Sequence, residues 1–219
     1  MQRYKYAFFD LDGTLYDSGN GIRNAARYAL GRFDIHEIND SMLNRFIGPP
    51  LKRSFMDFYG LSENDAVNAI GYFREYYSDK GIFEGEIYKG VDGMLKELYD
   101  NNVSIVLATS KPEVYACRIL DNFRIHKYFD FVSAASFDES LVEKTDIIKN
   151  AAVNLDIDDM MSVLMIGDRL YDIAGGKNTG TATAGVLYGY GTYTELYGAG
   201  SDYIVSSAEE LKKILLYSS

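Results

Sequence analysis

The chain has 219 residues, enough for one well-buried domain or for a domain carrying a smaller insertion. Its composition, 47% hydrophobic and 25% charged, excludes a disordered or fibrous chain. A formal net charge of −10 argues against general nucleic-acid binding, which needs clustered Lys and Arg, and it repels a phosphate ester at long range. Any phosphate site must therefore be local, made of a metal ion, one or two cations and backbone N–H groups. Cys117 is the only cysteine, so an intrachain disulfide is excluded, and with His36 and His126 in unrelated segments no structural zinc set is available. Cys117 is expected as a small buried side chain in a helix. The opening MQRYKYAFFDLDG has no long apolar stretch and no small-residue cleavage site, and no run approaches the roughly 18 to 20 apolar residues that span a bilayer. A cytoplasmic protein with no membrane association is expected.

In chain order, the first apolar run is Tyr6 to Phe9, which ends in acidic residues and Gly13. Short apolar runs bounded by turn residues read as buried strands. From about Asp17 to about Glu86 the sequence holds no convincing strand. It holds helical patterns near Ile22 to Phe33, Met42 to Ile47, Leu51 to Tyr59 and Glu63 to Asp79, with Ser62 and Asp65 as a capping box for the last. Strand-like runs resume at Val103 to Ala108, Phe131 to Ala134, Val163 to Ile166, Thr183 to Leu187 and, more weakly, Tyr203 to Val205. Helical patterns lie between them: Met94, Leu95 and Leu98; Ala116, Ile119 and Leu120; Ile147, Ile148 and Ala151; Leu211, Ile214 and Leu215. Strands of continuous rather than alternating hydrophobicity suit a parallel sheet covered on both faces, and their alternation with helices means βαβ units. The predicted fold is α/β, a Rossmann-like parallel sheet core with an inserted all-helical cap. The core is expected over residues 1–16 and 87–219, and the cap over 17–86.

Four segments carry chemistry. In FFDLDGTL, Asp10 and Asp12 follow a buried strand, at the rim where parallel sheets place their ligands, and two carboxylates so close repel unless a cation or a shared proton intervenes. In LATSKP, Thr109 falls at the end of the next core strand, and Lys111 and Pro112 open the following helix, where free N–H groups collect anions. Lys144 lies at the front of a helix. In MIGDRLYD, a strand again ends in Gly167 and Asp168, with Asp172 four residues on, a spacing that brings both carboxylates near one point at a helix start. Taken singly, these read equally as a turn, a helix start or a surface lysine. Together they set an acidic pair, a threonine, a lysine and a second acidic pair on strand ends and helix starts of one sheet. Three acidic strand ends can surround one hard cation with oxygen ligands, which suits Mg²⁺.

In that order the motifs resemble the haloacid dehalogenase superfamily, in its phosphatase branch with a helical C1-type cap after the first strand, and most of all the phosphoglycolate phosphatase-like group. GDRLYDIAGGKNTG from Gly167 and GVLYGYGTYTEL from Gly185 fit the same pattern, and the resemblance spans nearly the whole chain. It implies a phosphoric monoester hydrolase in which Asp10 is the nucleophile and Asp12 the general acid and base. It implies Mg²⁺ held by the side chains of Asp10 and Asp168 and the main-chain carbonyl of Asp12, with Asp172 binding the metal or holding its waters. Thr109 and Lys144 would bind the transferring phosphoryl group, and Ser110 would add a backbone contact. The helical insertion would act as a lid. Its loop Ile47 to Arg53 is the candidate substrate contact, through Lys52 and Arg53. The implied partner is a small-molecule phosphate ester (phosphoglycolate-like, a sugar phosphate or a nucleoside monophosphate), and the expected state is a monomer or homodimer.

Other chemistries share parts of this pattern. Haloalkanoic acid dehalogenation needs no second aspartate, so Asp12 argues against it. A receiver domain is shorter and places its phosphorylated Asp later. A sugar phosphomutase of the β-phosphoglucomutase type shares every core motif and stands as the alternative, together with a non-catalytic binding protein on the same fold. The aromatic residues Phe55, Phe58, Tyr59, Phe73, Tyr76 and Tyr77 could receive a base, but most are expected in the core of the insertion.

Overall fold

The computed structural model of the chain describes residues 3–36, 39–137 and 141–217. Its backbone packing divides into two compact units, one of Met1–Tyr16 with Ile87–Ser219 and one of Asp17–Glu86. The chain opens with β1 (Tyr6–Phe9) and a two-residue strand, β2 (Tyr16–Asp17). Helices α1 (Gly19–Gly31), α2 (Asp40–Leu43), α3 (Leu51–Tyr59) and α4 (Glu63–Asp79) follow, and a second two-residue strand, β3 (Glu86–Ile87), ends the passage. The remainder alternates: α5 (Val91–Asp100), β4 (Ser104–Pro112), α6 (Glu113–Asn122), β5 (Phe131–Ala135), α7 (Lys144–Asn154), β6 (Val163–Gly167), α8 (Leu170–Thr179), β7 (Ala182–Val186), α9 (Tyr193–Gly198), β8 (Tyr203–Val205) and α10 (Ala208–Tyr217).

The first unit is built on a six-stranded sheet in the order β5-β4-β1-β6-β7-β8. Every pairing in it is parallel. β1 lies at its centre, where Phe8 faces Val106 on one side and Met165 on the other. Both faces of β1 are covered, so Ala7, Phe8 and Phe9 are all fully buried, which explains the unbroken apolar run. On one face Phe8, Val106, Ala108, Val163 and Met165 pack against Ile147, Ile148 and Ala151 of α7. Burial of side chains of this size stabilises by roughly 1.5–3 kcal/mol each. The six strands fall where the apolar runs predict them, within a few residues.

The second unit is helical. In α1, Ile22, Ala25, Ala26, Ala29 and Leu30 are buried, the spacing of one helical face. That face meets Ala66, Ala69, Ile70, Phe73 and Tyr77 of α4. Ser62 caps α4 by accepting from the Asp65 N–H at 3.2 Å, the predicted start. Of the aromatic set, Phe55, Phe73 and Tyr77 are buried and Phe58, Tyr59 and Tyr76 half-buried.

Three details differ from the sequence reading. β4 runs on through Pro112, and Lys111 is extended rather than helical. Pro112 itself has φ −55° and ψ 134°, and proline disfavours helical backbone in the residue before it. Regular pairing stops at Thr109 opposite Ala134 and resumes at Pro112 opposite Ala135, which leaves Ser110 and Lys111 as a bulge. The helix α9 has no counterpart in the predicted elements. Cys117 is half-buried rather than buried. Among the described residues, no helix is long and apolar enough to cross a membrane.

Candidate active site

The site grows out of the end of β1. The Asp10 N–H donates to Ile166 O at 2.9 Å, which ties Asp10 to β6. The chain then turns on itself, with the N–H groups of Thr14, Leu15 and Tyr16 all directed at Leu11 O. Gly13 sits at φ 79°, and a Cβ there would lie 2.2 Å from Asp168 Oδ2, so both the turn and the neighbouring carboxylate demand glycine.

Three of the predicted acids converge. Carboxylate oxygens of Asp10, Asp168 and Asp172 lie within 4.8 Å of one another. The Lys144 ammonium, buried at the first residue of α7, reaches Asp10 Oδ1 at 2.9 Å, Asp172 Oδ1 at 2.8 Å and Ala108 O at 2.9 Å. Burial works against its charge, but Asp10 and Asp172 outweigh burial and hold its pKa above the ordinary lysine range. Asp172 is the third residue of α8, and its Oδ2 accepts the Arg169 N–H at 3.0 Å. Burial pushes its pKa up to about 6 against the pull of Lys144. Asp168 is pushed well above the carboxylate range, first by burial and then by the charge of Asp172. Its Oδ2 accepts the Tyr190 N–H at 2.7 Å, while its Oδ1 is buried with no hydrogen-bond partner.

This donor set fits a divalent cation. One ammonium against three carboxylates leaves two formal negative charges in a buried space, and Asp168 Oδ1 is an acceptor without a donor. Oxygen-only ligands select a hard ion such as Mg²⁺. Asp10, Asp168 and Asp172 would hold it.

Asp12 has a different partner. Both its oxygens accept from Lys111 Nζ, at 2.9 and 2.8 Å, and the lysine is buried. Thr109 is buried at the last regular position of β4, and its Oγ1 accepts the Lys111 N–H at 3.2 Å. The Ser110 hydroxyl donates to Val142 O at 3.0 Å. Lys52 and Arg53 belong to the helical unit, where each is engaged locally, with Glu63 and Asp57 respectively. Sequence reasoning missed the role of Lys111. It drew on the segment GVLYGYGTYTEL but not on the part of Gly189 in it, a residue with no room for a Cβ: one would lie 2.2 Å from Gly13 O and 2.5 Å from Asp168 Cβ. The alternating YGYG after β7 was the available signal for that close approach.

Residues 7–186 match the family model described as haloacid dehalogenase-like hydrolase. The chain belongs to this family. It is 34% identical to a 5'-nucleotidase of Pseudomonas aeruginosa over 97% of this chain and 96% of that one. It is 34% identical to the tyrosine-protein kinase PtkA of Mycobacterium tuberculosis over 84% of this chain and 62% of that one. A phosphoglycolate phosphatase of Vibrio parahaemolyticus is 27% identical, with 100% and 99% covered. Among solved structures, a predicted phosphatase from Clostridium acetobutylicum superposes with a TM-score of 0.91 at 45% identity, over 96% of this chain and 97% of that one. The haloacid dehalogenase-like α/β fold and the likeness to phosphoglycolate phosphatases read from the motifs therefore hold, and the protein is a hydrolase of the phosphatase kind.

Proposed function

We propose that the protein is a cytoplasmic, Mg²⁺-dependent phosphatase of small phosphate monoesters that works through an aspartyl-phosphate on Asp10. The observation that carries this reading is the buried Lys144, shared between Asp10 and Asp172 at 2.9 and 2.8 Å beside the unpartnered Asp168 Oδ1. Asp10 Oδ1 attacks phosphorus while the ester P–O bond breaks, and the leaving oxygen takes a proton from Asp12. Water then attacks the aspartyl-phosphate and gives its proton to Asp12, which breaks the acyl–phosphate bond, releases inorganic phosphate and restores Asp10 as carboxylate and Asp12 as the protonated acid. Lys144 and Thr109 bind the non-bridging oxygens, and Lys144 keeps its proton throughout. Asp10, Asp168 and the Asp12 carbonyl would hold Mg²⁺, with Asp172 beside it, and the ion would supply the charge neutralisation that lets an anionic nucleophile approach an anionic ester. The helical unit would serve as the lid and read the leaving group, with Lys52 and Arg53 as contacts.

The family relatives support a metabolite-sized substrate, and the 5'-nucleotidase likeness makes nucleoside monophosphates the first class to try, ahead of sugar phosphates and 2-phosphoglycolate. The test is hydrolysis of an aryl phosphate with Mg²⁺, with EDTA and with Asp10→Asn, alongside melting curves with beryllofluoride. Turnover lost with EDTA and with the substitution, and a rise in Tm with Mg²⁺ and beryllofluoride in wild type alone, are expected. Turnover that survives Asp10→Asn overturns the reading. A phosphoryl group delivered to an added hydroxyl compound in preference to water would favour the phosphomutase alternative.

A further inference from the structure

Lys111 has no part in the mechanism above, yet it is one of the few buried charges of the core unit. It sits in the β4 bulge, its side chain 5% exposed, and its Nζ bridges both oxygens of Asp12 at 2.9 and 2.8 Å. The two residues lie 99 positions apart in the chain. The backbone around the lysine is pinned as well. Its N–H donates to Thr109 Oγ1, Ser110 donates to Val142 O, and Pro112 fixes the next φ. A bulge that re-aims one side chain towards a functional group is a recurrent use of such irregularities.

A carboxylate that must pass a proton to a leaving oxygen has to present one oxygen within hydrogen-bond reach of it, in a fixed plane. An ammonium chelated by both oxygens fixes that plane. It also separates the duties of the two lysines: Lys144 serves Asp10 and Asp172, and Lys111 serves Asp12. We propose that Lys111 is a positioning residue for proton transfer, which sets the orientation of the Asp12 carboxylate and keeps it from collapsing onto the cation that holds Asp10 and Asp168. The lysine touches neither the phosphoryl group nor the leaving group. In the forward step the proton moves from Asp12 to the leaving oxygen, and in the second step from water to Asp12; Lys111 gains and loses none.

This inference rests on the phosphatase reading, and one substrate series separates the two. Aryl phosphates from 4-nitrophenyl through phenyl to 4-methoxyphenyl have the same shape but need progressively more protonation of the departing oxygen. kcat/KM, which reports the first phosphoryl transfer, would be measured with Mg²⁺ for wild type, Lys111→Met and Lys111→Arg, with melting curves for each. A lost proton donor typically costs 10²- to 10⁴-fold, so the penalty in Lys111→Met should grow along the series towards about 100-fold for 4-methoxyphenyl phosphate and be smallest for 4-nitrophenyl phosphate. Lys111→Arg should recover part of the loss on the poorest leaving group. A uniform loss across the series, or a rise in KM alone, overturns the proposal and makes Lys111 a structural or phosphate-binding residue. Failure of wild type to hydrolyse any member sinks the phosphatase reading itself.

Discussion

The core unit and the helical unit both carry lysine–carboxylate pairs, but in different settings. In the core, Lys111 and Lys144 are buried and their partners follow the carboxyl ends of the central strands β1 and β6. In the helical unit, Lys52–Glu63, Arg53–Asp57 and Arg27–Asp40 lie on exposed surfaces. The bond type is the same, so the difference lies in solvent. Buried ions have given up water and depend on one another, whereas exposed pairs exchange their partners for water at little cost. Burial and convergence, more than charge itself, mark where chemistry is done.

The contrast can be broken most sharply at Lys144. Lys144→Met leaves the buried Asp172 and the half-buried Asp10 without their cation, so it should lower stability by about 3 kcal/mol and abolish turnover. Denaturant unfolding and the aryl phosphate assay check both. A stable, active variant would mean that the acids are not mutually dependent.

An intermediate case is Asp202, exposed on the core unit but hydrogen-bonded to the buried Thr183. Burial pushes its pKa up, but hydrogen bonds from Lys177 and Thr183 outweigh burial and hold it below the usual value. A depressed carboxylate adds stability above its unfolded pKa of about 3.9 and loses it as pH falls through the folded value. Asp202→Asn should therefore cost stability at neutral pH, by less than about 1 kcal/mol after solvent screening, and the gap to wild type should close below about pH 4. Urea midpoints against pH give the answer, and a gap that widens in acid would contradict it.

The smallest effect is expected at Lys52→Met. Its pair with Glu63 is exposed, so melting temperature should stay near that of wild type and any difference should vanish at high salt. A raised KM at unchanged Tm would mark Lys52 as a substrate contact, while unchanged kinetics would remove it from the candidate site.

Most of the sheet was legible because β1, β4 and β6 are buried on both faces and carry unbroken apolar runs such as Val163–Ile166. The acids at strand ends could be placed from the same pattern, since a strand's end is also its site edge. α4 was readable from Ser62 and Asp65, a local signal. α9 carried a comparable signal, since Thr192 accepts the Glu195 N–H at 3.2 Å, but its few residues have too little periodicity to announce a helix. The Lys111–Asp12 pair could not be read at all. It depends on a bulge in β4 meeting the β1 turn, and no pattern within either segment encodes their meeting. For the approach of Gly189 to Gly13 and Asp168, the alternating YGYG marks a tight backbone but does not name its partners.

The central place of β1 has a consequence for how the protein comes into being. The strand that delivers Asp10 is made first, but its neighbours in the sheet, β4 and β6, begin only at Ser104 and Val163. The loop whose Tyr190 N–H holds Asp168 comes later still. During synthesis from the N-terminus, Asp10 waits for Lys144 and its fellow acids until nearly the whole chain has left the ribosome. Such long-range pairing slows folding, and it also means that an unfinished or C-terminally truncated chain carries the DxD motif with no acidic cluster assembled around it.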